Sequence, residues 1–189
     1  MRHPIITVRR HVRTCLRTCF LALMIVWLPI SVNAAEETWK PVADHPYKKQ
    51  VADGYCNCIF SHQDIPKGRE STVEIKSDYV TPEPVYGRCY WLKPIGAVRA
   101  EDFWHEIWID GRLVQLTEFQ DPPAPEWDQI AVWVSEDYSK EMKALKRGKH
   151  EVVIYVMKNT DQPWMAAGRP DSLSGQVILS KGRFTYTVK

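Results

Sequence analysis

No acidic residue occurs before Glu36, and no apolar run in the 189 residues approaches the roughly 20 needed to cross a bilayer. Only nine glycines are present, and none stands in a Gly-x-Ser-x-Gly elbow or a phosphate-cradling loop. His105 lies in Phe-Trp-His-Glu, which lacks the second histidine of the His-Glu-x-x-His zinc signature. His45, His62, His105 and His150 are scattered along the chain, so the sequence offers no catalytic constellation. Nor is there a basic stripe of the kind that tracks a nucleic-acid backbone. These gaps leave the reading to compartment, fold and surface.

The acid-free start is arginine-rich, runs into the apolar residues 19–30 and ends in Ser31-Val32-Asn33-Ala34-Ala35. That order is the pattern of a secretory signal peptide, with small residues at Val32 and Ala34 suiting cleavage after Ala34. Sec export to the periplasm or exterior is expected, with no membrane span left after cleavage. Removing residues 1–34 takes away five arginines and no acid, so 25 basic groups fall to 20 against 23 acidic ones, a net charge of about −3. Signs are interspersed, which again argues against a nucleic-acid partner. The remaining 155 residues match one domain.

Three cysteines lie beyond the leader: Cys56, Cys58 and Cys89. In an oxidising compartment an odd number cannot all pair within one chain. One arrangement is a disulfide from Cys89 to Cys56 or Cys58, with the spare thiol buried as a small apolar side chain. Another is no bond at all. A third is a copper or zinc site in which the three sulfurs converge with His62 or His105, although a two-residue gap is shorter than zinc pairs normally use.

Alternation of apolar and polar residues dominates the chain beyond the leader, so it reads as mostly β. Residues 35–53 are polar, hold Pro41 and Pro46, and read as an irregular lead-in to a domain over 54–189. Strands are expected at 55–61, 71–76, 85–92, 130–134, 150–158 and 176–188, with Cys56 and Cys58 on one face of the first. The strongest local signal is a hairpin, 103–109 and 112–119 around Asp110-Gly111, because Asp-Gly accepts the positive φ angles of a type I′ turn. The proline-rich segment 121–126 is a loop. Ser135 can cap a helix of about three turns carrying Tyr138, Met142 and Leu145 and stopping at Gly148. Gly182 marks a bulge or turn in the last strand. Seven to nine short strands with one short helix before the penultimate strand make an all-β, antiparallel sandwich.

Leu145-Lys146-Arg147-Gly148-Lys149-His150-Glu151-Val152, closed by Gly182-Arg183-Phe184-Thr185-Tyr186-Thr187-Val188, resembles the last two strands of bacterial immunoglobulin-like and fibronectin III-like domains. The resemblance covers residues 130–189. It departs from the antibody pattern because 150–158 holds no cysteine for an inter-sheet bond. What it implies is an immunoglobulin-like sandwich, a class that serves in the envelope more often as a binding or structural module than as an enzyme.

Aromatic density supplies the remaining candidates. Eight tryptophans are present, and Trp104 and Trp108 alternate with Phe103, His105, Ile107 and Ile109, so one face of the hairpin is aromatic. Facing outward, it would be a platform for a sugar ring or a protein partner; otherwise the loop around Trp127 or the lead-in covers it. The loop 159–174, with Trp164, Met165 and Arg169, is a candidate binding loop, and His150, at a strand corner, is expected to make a backbone hydrogen bond. The combined expectation is a non-enzymatic accessory or binding subunit of an envelope assembly, without a cofactor. Copper or zinc handling through the cysteines, and glycan binding through the tryptophans, are the alternatives.

Overall fold

The computed structural model describes residues 37–134, 139–159 and 176–189, all within the unit Glu36–Lys189. Ten strands form a mixed, unclosed sheet system. They are β1 (Lys40–Val42), β2 (His45–Gln50), β3 (Cys56–Ser61), β4 (Asp78–Val80), β5 (Tyr86–Tyr90), β6 (Phe103–Ile109), β7 (Arg112–Glu118), β8 (Gln129–Val132), β9 (Gly148–Asn159) and β10 (Gln176–Val188). The main path runs β1-β2-β3-β10-β9-β6-β7, with β4 beside β10, while β5 pairs β3 and β8. The all-β expectation holds. Not every ladder is antiparallel, however: β10 runs parallel to both β3 and β4.

The hairpin of β6 and β7 falls where Asp110-Gly111 places it, with φ of 50° and 75° at the two turn residues. Asp110 also ties the turn to β9: its amide donates to the Glu151 carbonyl at 2.9 Å, and its carboxylate accepts from the Glu151 amide at 3.0 Å. His150 bridges the Asp110 carboxylate and the Lys146 carbonyl, both at 2.7 Å. The expected backbone bond of His150 is therefore present. Its imidazole pKa is raised, first by the Asp110 bond, and that of Asp110 is correspondingly lowered.

One core gathers Cys58, Phe60 and Cys89 from β3 and β5, Ile130 and Val132 from β8, Phe103 and Ile107 from β6, Val152 and Ile154 from β9, and Phe184 from β10. Phe60 is its pivot. Its ring packs on Phe184, centroids 4.8 Å apart, and a Cβ placed on Gly182 would fall 2.6 Å from its Cζ. Gly182 therefore makes no turn. It sits in register opposite Ile154, and its missing side chain lets β3 approach β10. The irregularity in β10 lies instead between Ile178 and Ser180.

Other expectations are corrected. The lead-in is structured: β1 and β2 form a hairpin turning at Asp44, whose φ is 66°, and β2 joins β3 at Gln50 and Cys56. Residues 71–76 are not a strand, because buried Glu70 accepts from the Tyr90 hydroxyl at 3.2 Å and the Gly68 amide at 3.2 Å. That anchoring folds Glu70–Thr72 into a 3-10 turn, and Ile75 is left 37 % exposed. The described helix α1, Ser139–Lys143, contributes buried Met142 to the core. The expected cap Ser135 and Tyr138 lie outside the described residues, as does the loop over 160–175 with Trp164, Met165 and Arg169.

Candidate functional site

Cys58 and Cys89 are directly opposed in the β3–β5 ladder and form a disulfide, with Cα atoms 3.9 Å apart. Cys56 is the spare cysteine, fully buried. It packs in a different cluster from Cys58. At this point β3 passes from pairing with β10, through Cys56 and Asn57, to pairing with β5, through Cys58 to Ser61. Cys56 consequently packs with Ile59, Ile65 and Tyr90, whereas Cys58 enters the main core. Burial pushes the Cys56 thiol up to about 11, against the opposing pull of Lys48. A protonated thiol is a poor nucleophile and a poor metal ligand. Among the described residues, no three His, Cys, Asp or Glu side chains converge in a metal-binding group. His62 lies at the far end of β3 beside Gln63. His105 is buried on β6 against Phe119, and desolvation lowers its pKa to about 4, so its ring is neutral at physiological pH.

The second face of β3 and β5 carries a polar network that no motif in the sequence signals. Buried Lys48 donates to Asp128 at 2.6 Å. Buried Arg88 holds the Ile65 carbonyl through Nε at 2.7 Å and also through Nη2, and reaches Gln129 at 3.3 Å. These bonds, with Glu70 on Tyr90, seat the segment carrying Ile65 on the sheet. Each buried charge has a partner, which is the requirement for keeping it in a low-dielectric setting. The network is structural.

The tryptophan face of the β6–β7 hairpin has a different character. On β6, Trp104, Glu106 and Trp108 stand at alternate positions; both indole N–H groups donate to the same carboxylate, Trp104 at 2.9 Å and Trp108 at 2.8 Å. Glu106 is 2 % exposed and Trp104 5 %. Of the two alternatives the tryptophan face is the covered one, although the cover comes chiefly from neighbouring strands and not from the Trp127 loop: Trp104 packs with Met157, Tyr155 and Ile178, and Trp108 meets Tyr155 edge to face at 6.3 Å. Part of this cover involves the lead-in, since Lys181 lies over the Tyr155 ring and pairs with Glu37. Trp127 lies elsewhere, 37 % exposed, its carbonyl accepting from the Trp91 indole at 2.7 Å.

Apolar exposure sits one strand further out. The β6–β7 register slips between Ile107 and Trp108, so that Val114 is an extra residue, Leu113 lies opposite Trp108 and Leu116 opposite Glu106. The bulge turns both leucines to the tryptophan face. They are 43 % and 48 % exposed, and among the described residues β7 pairs with β6 alone. A long strand edge with leucines beside it is a template for another strand. The Trp-x-Glu-x-Trp spacing could have signalled the clamp on Glu106. Exposure of the leucines could not be read, because it depends on β7 ending the sheet.

Comparison with known protein families gives no match, and comparison with curated proteins gives none. The chain is therefore characterised by its own architecture: a disulfide-bonded, all-β protein whose buried charged groups are internally engaged and whose hairpin carries a leucine-bearing edge. Among the described residues, no helix is long and apolar enough to cross a membrane.

Proposed function

We propose that this protein is a non-enzymatic binding subunit of a cell-envelope assembly, exported through Sec and joined to its protein partner along the β7 edge of the hairpin. Exposure of Leu113 and Leu116 on that edge carries the reading. The indole–carboxylate clamp beneath supports it, since it fixes the side chains next to the edge and lowers the ordering cost of docking. The arginine-rich leader and the Cys58–Cys89 bond support an oxidising compartment. The immunoglobulin-like resemblance of residues 130–189 supports a module that binds rather than catalyses, as does a Cys56 held as the thiol.

The test is co-purification from a native periplasmic extract with the wild-type chain and a Leu113→Glu/Leu116→Glu variant. Both positions are exposed, so the variant keeps its circular dichroism and melting temperature. The reading expects a partner with the wild type and its loss with the variant. A partner that binds both equally, or a wild-type chain recovered as a monomer with nothing bound, overturns it.

A further inference from the structure

Resting on that docking edge, we infer that its occupant is β7 of a second copy of this chain, paired antiparallel about a two-fold axis between Val114 and Gln115. The sequence of β7 is self-complementary only once its bulge is taken into account. In a regular strand, residues 113 and 116 point to opposite faces. Here the extra Val114 puts both on the tryptophan face, Leu113 beside Trp108 and Leu116 beside Glu106. A two-fold axis perpendicular to the sheet preserves faces, so only a register that matches like faces is allowed.

Placing Leu113 of one copy opposite Leu116 of the other satisfies this condition twice, once on each side of the axis. Four half-exposed leucines then form one apolar cluster. The same register sets Arg112 of one copy opposite Thr117 of the other and Glu118 opposite Gly111, so no like charges are opposed along the ladder. β7 contains no proline to interrupt a ladder. A two-fold contact of this type closes on itself, and the pairing stops at the dimer.

One strand edge and four leucines fall below the roughly 800 Å² per partner of a standard stable interface. A dissociation constant of about micromolar is expected. Each residue is used twice across the axis, so one substitution removes two contacts.

Sedimentation velocity of the full mature chain across about 1 to 300 μM gives the first readout. A concentration-dependent monomer–dimer equilibrium is expected, weakened at least about 10-fold by Leu113→Glu. Mixed-disulfide trapping gives the register. Leu113→Cys and Leu116→Cys chains, mixed and oxidised, form the 113–116 cross-link, whereas either chain alone cross-links poorly because its own positions are three residues out of register. Buried Cys56 stays silent in this assay. A monomer at every concentration overturns the inference, as does a dimer indifferent to Leu113→Glu or trapped equally by all combinations. If the chain is monomeric while photo-cross-linking at Leu116 captures a different protein, the second-copy assignment falls and the docking edge stands.

Discussion

Gly182→Ala probes the close approach on which the core depends. A methyl at that position would lie 2.5 Å from Cys58 Cβ, 2.6 Å from Phe60 Cζ and 2.9 Å from Phe60 Cε2. Two opposing effects compete. Alanine restricts the unfolded chain more than glycine and would stabilise by about 0.4–1 kcal/mol if it fitted. Overpacking a filled core costs about 1–3 kcal/mol, and the upper end applies when the neighbour cannot retreat. Cys58 cannot, being bonded to Cys89 and held in the β3–β5 ladder. Phe60 is confined too, since a Cβ on Gly87 would fall 3.1 Å from its Cε1 on the other side. The clash wins, leaving a net loss of about 2 kcal/mol and a fall in melting temperature of about 4–8 °C. Urea denaturation monitored by tryptophan fluorescence reads the change. Adding Phe60→Leu removes the ring contacts but not the Cys58 contact, so the double variant recovers only part of the loss relative to Phe60→Leu alone. A Gly182→Ala chain as stable as the wild type would refute the packing argument.

The same structure sets further outcomes. The Cys58–Cys89 bond closes a separation of 31 residues, so Cys89→Ser should cost about 3.5 kcal/mol in the same denaturation assay. Cys56, buried and with its thiol raised to about 11, should resist a thiol reagent at pH 8 in the native protein and react on unfolding. Replacing Glu106 by leucine leaves the buried Trp104 N–H without the carboxylate it now reaches at 2.9 Å; a loss of about 1–3 kcal/mol and an altered tryptophan emission are expected. The Asp110–His150 pair titrates at both ends. The raised imidazole contributes fully below about pH 6.5 and loses its contribution as pH climbs through the folded value, while the lowered carboxyl contributes above about 3.9 and loses it as pH drops through its own. The wild type should therefore exceed Asp110→Asn by about 0.5 kcal/mol near pH 5.5 and by less at pH 8.5, measured as urea midpoints.

Local chemistry is legible in the chain, and long-range anchoring is not. Asp110-Gly111 sets its hairpin because turn geometry is a property of two residues, and β3, β5, β8, β9 and β10 match apolar alternation to within a few positions. Residues 71–76 alternate equally well, yet the Glu70–Tyr90 bond, formed 20 positions away in sequence, takes the segment out of the sheet. The β1–β2 hairpin is hidden because Asp44 adopts its positive φ without a glycine, and Pro41 and Pro46 read as breakers. Gly182 is conspicuous in sequence, but a missing side chain can serve a turn or an approaching strand, and only the position of β3 decides between them. At the site, alternation alone puts Trp104 and Trp108 on one face, but their covering depends on Tyr155, Met157 and Ile178, about 50 positions or more away in the chain.

The most direct test of the docking edge is a photo-reactive phenylalanine derivative incorporated at position 116, with position 92 as control, in cells that produce the protein. Leu92 is a fair comparison because it is 42 % exposed against 48 % for Leu116, yet lines a cleft with residues of the β1–β2 hairpin and none of β7. A discrete protein adduct from position 116 and none from position 92 is the expected result. Adducts from both positions alike, or from neither, would contradict the assignment of β7 as the place where this protein meets its partner.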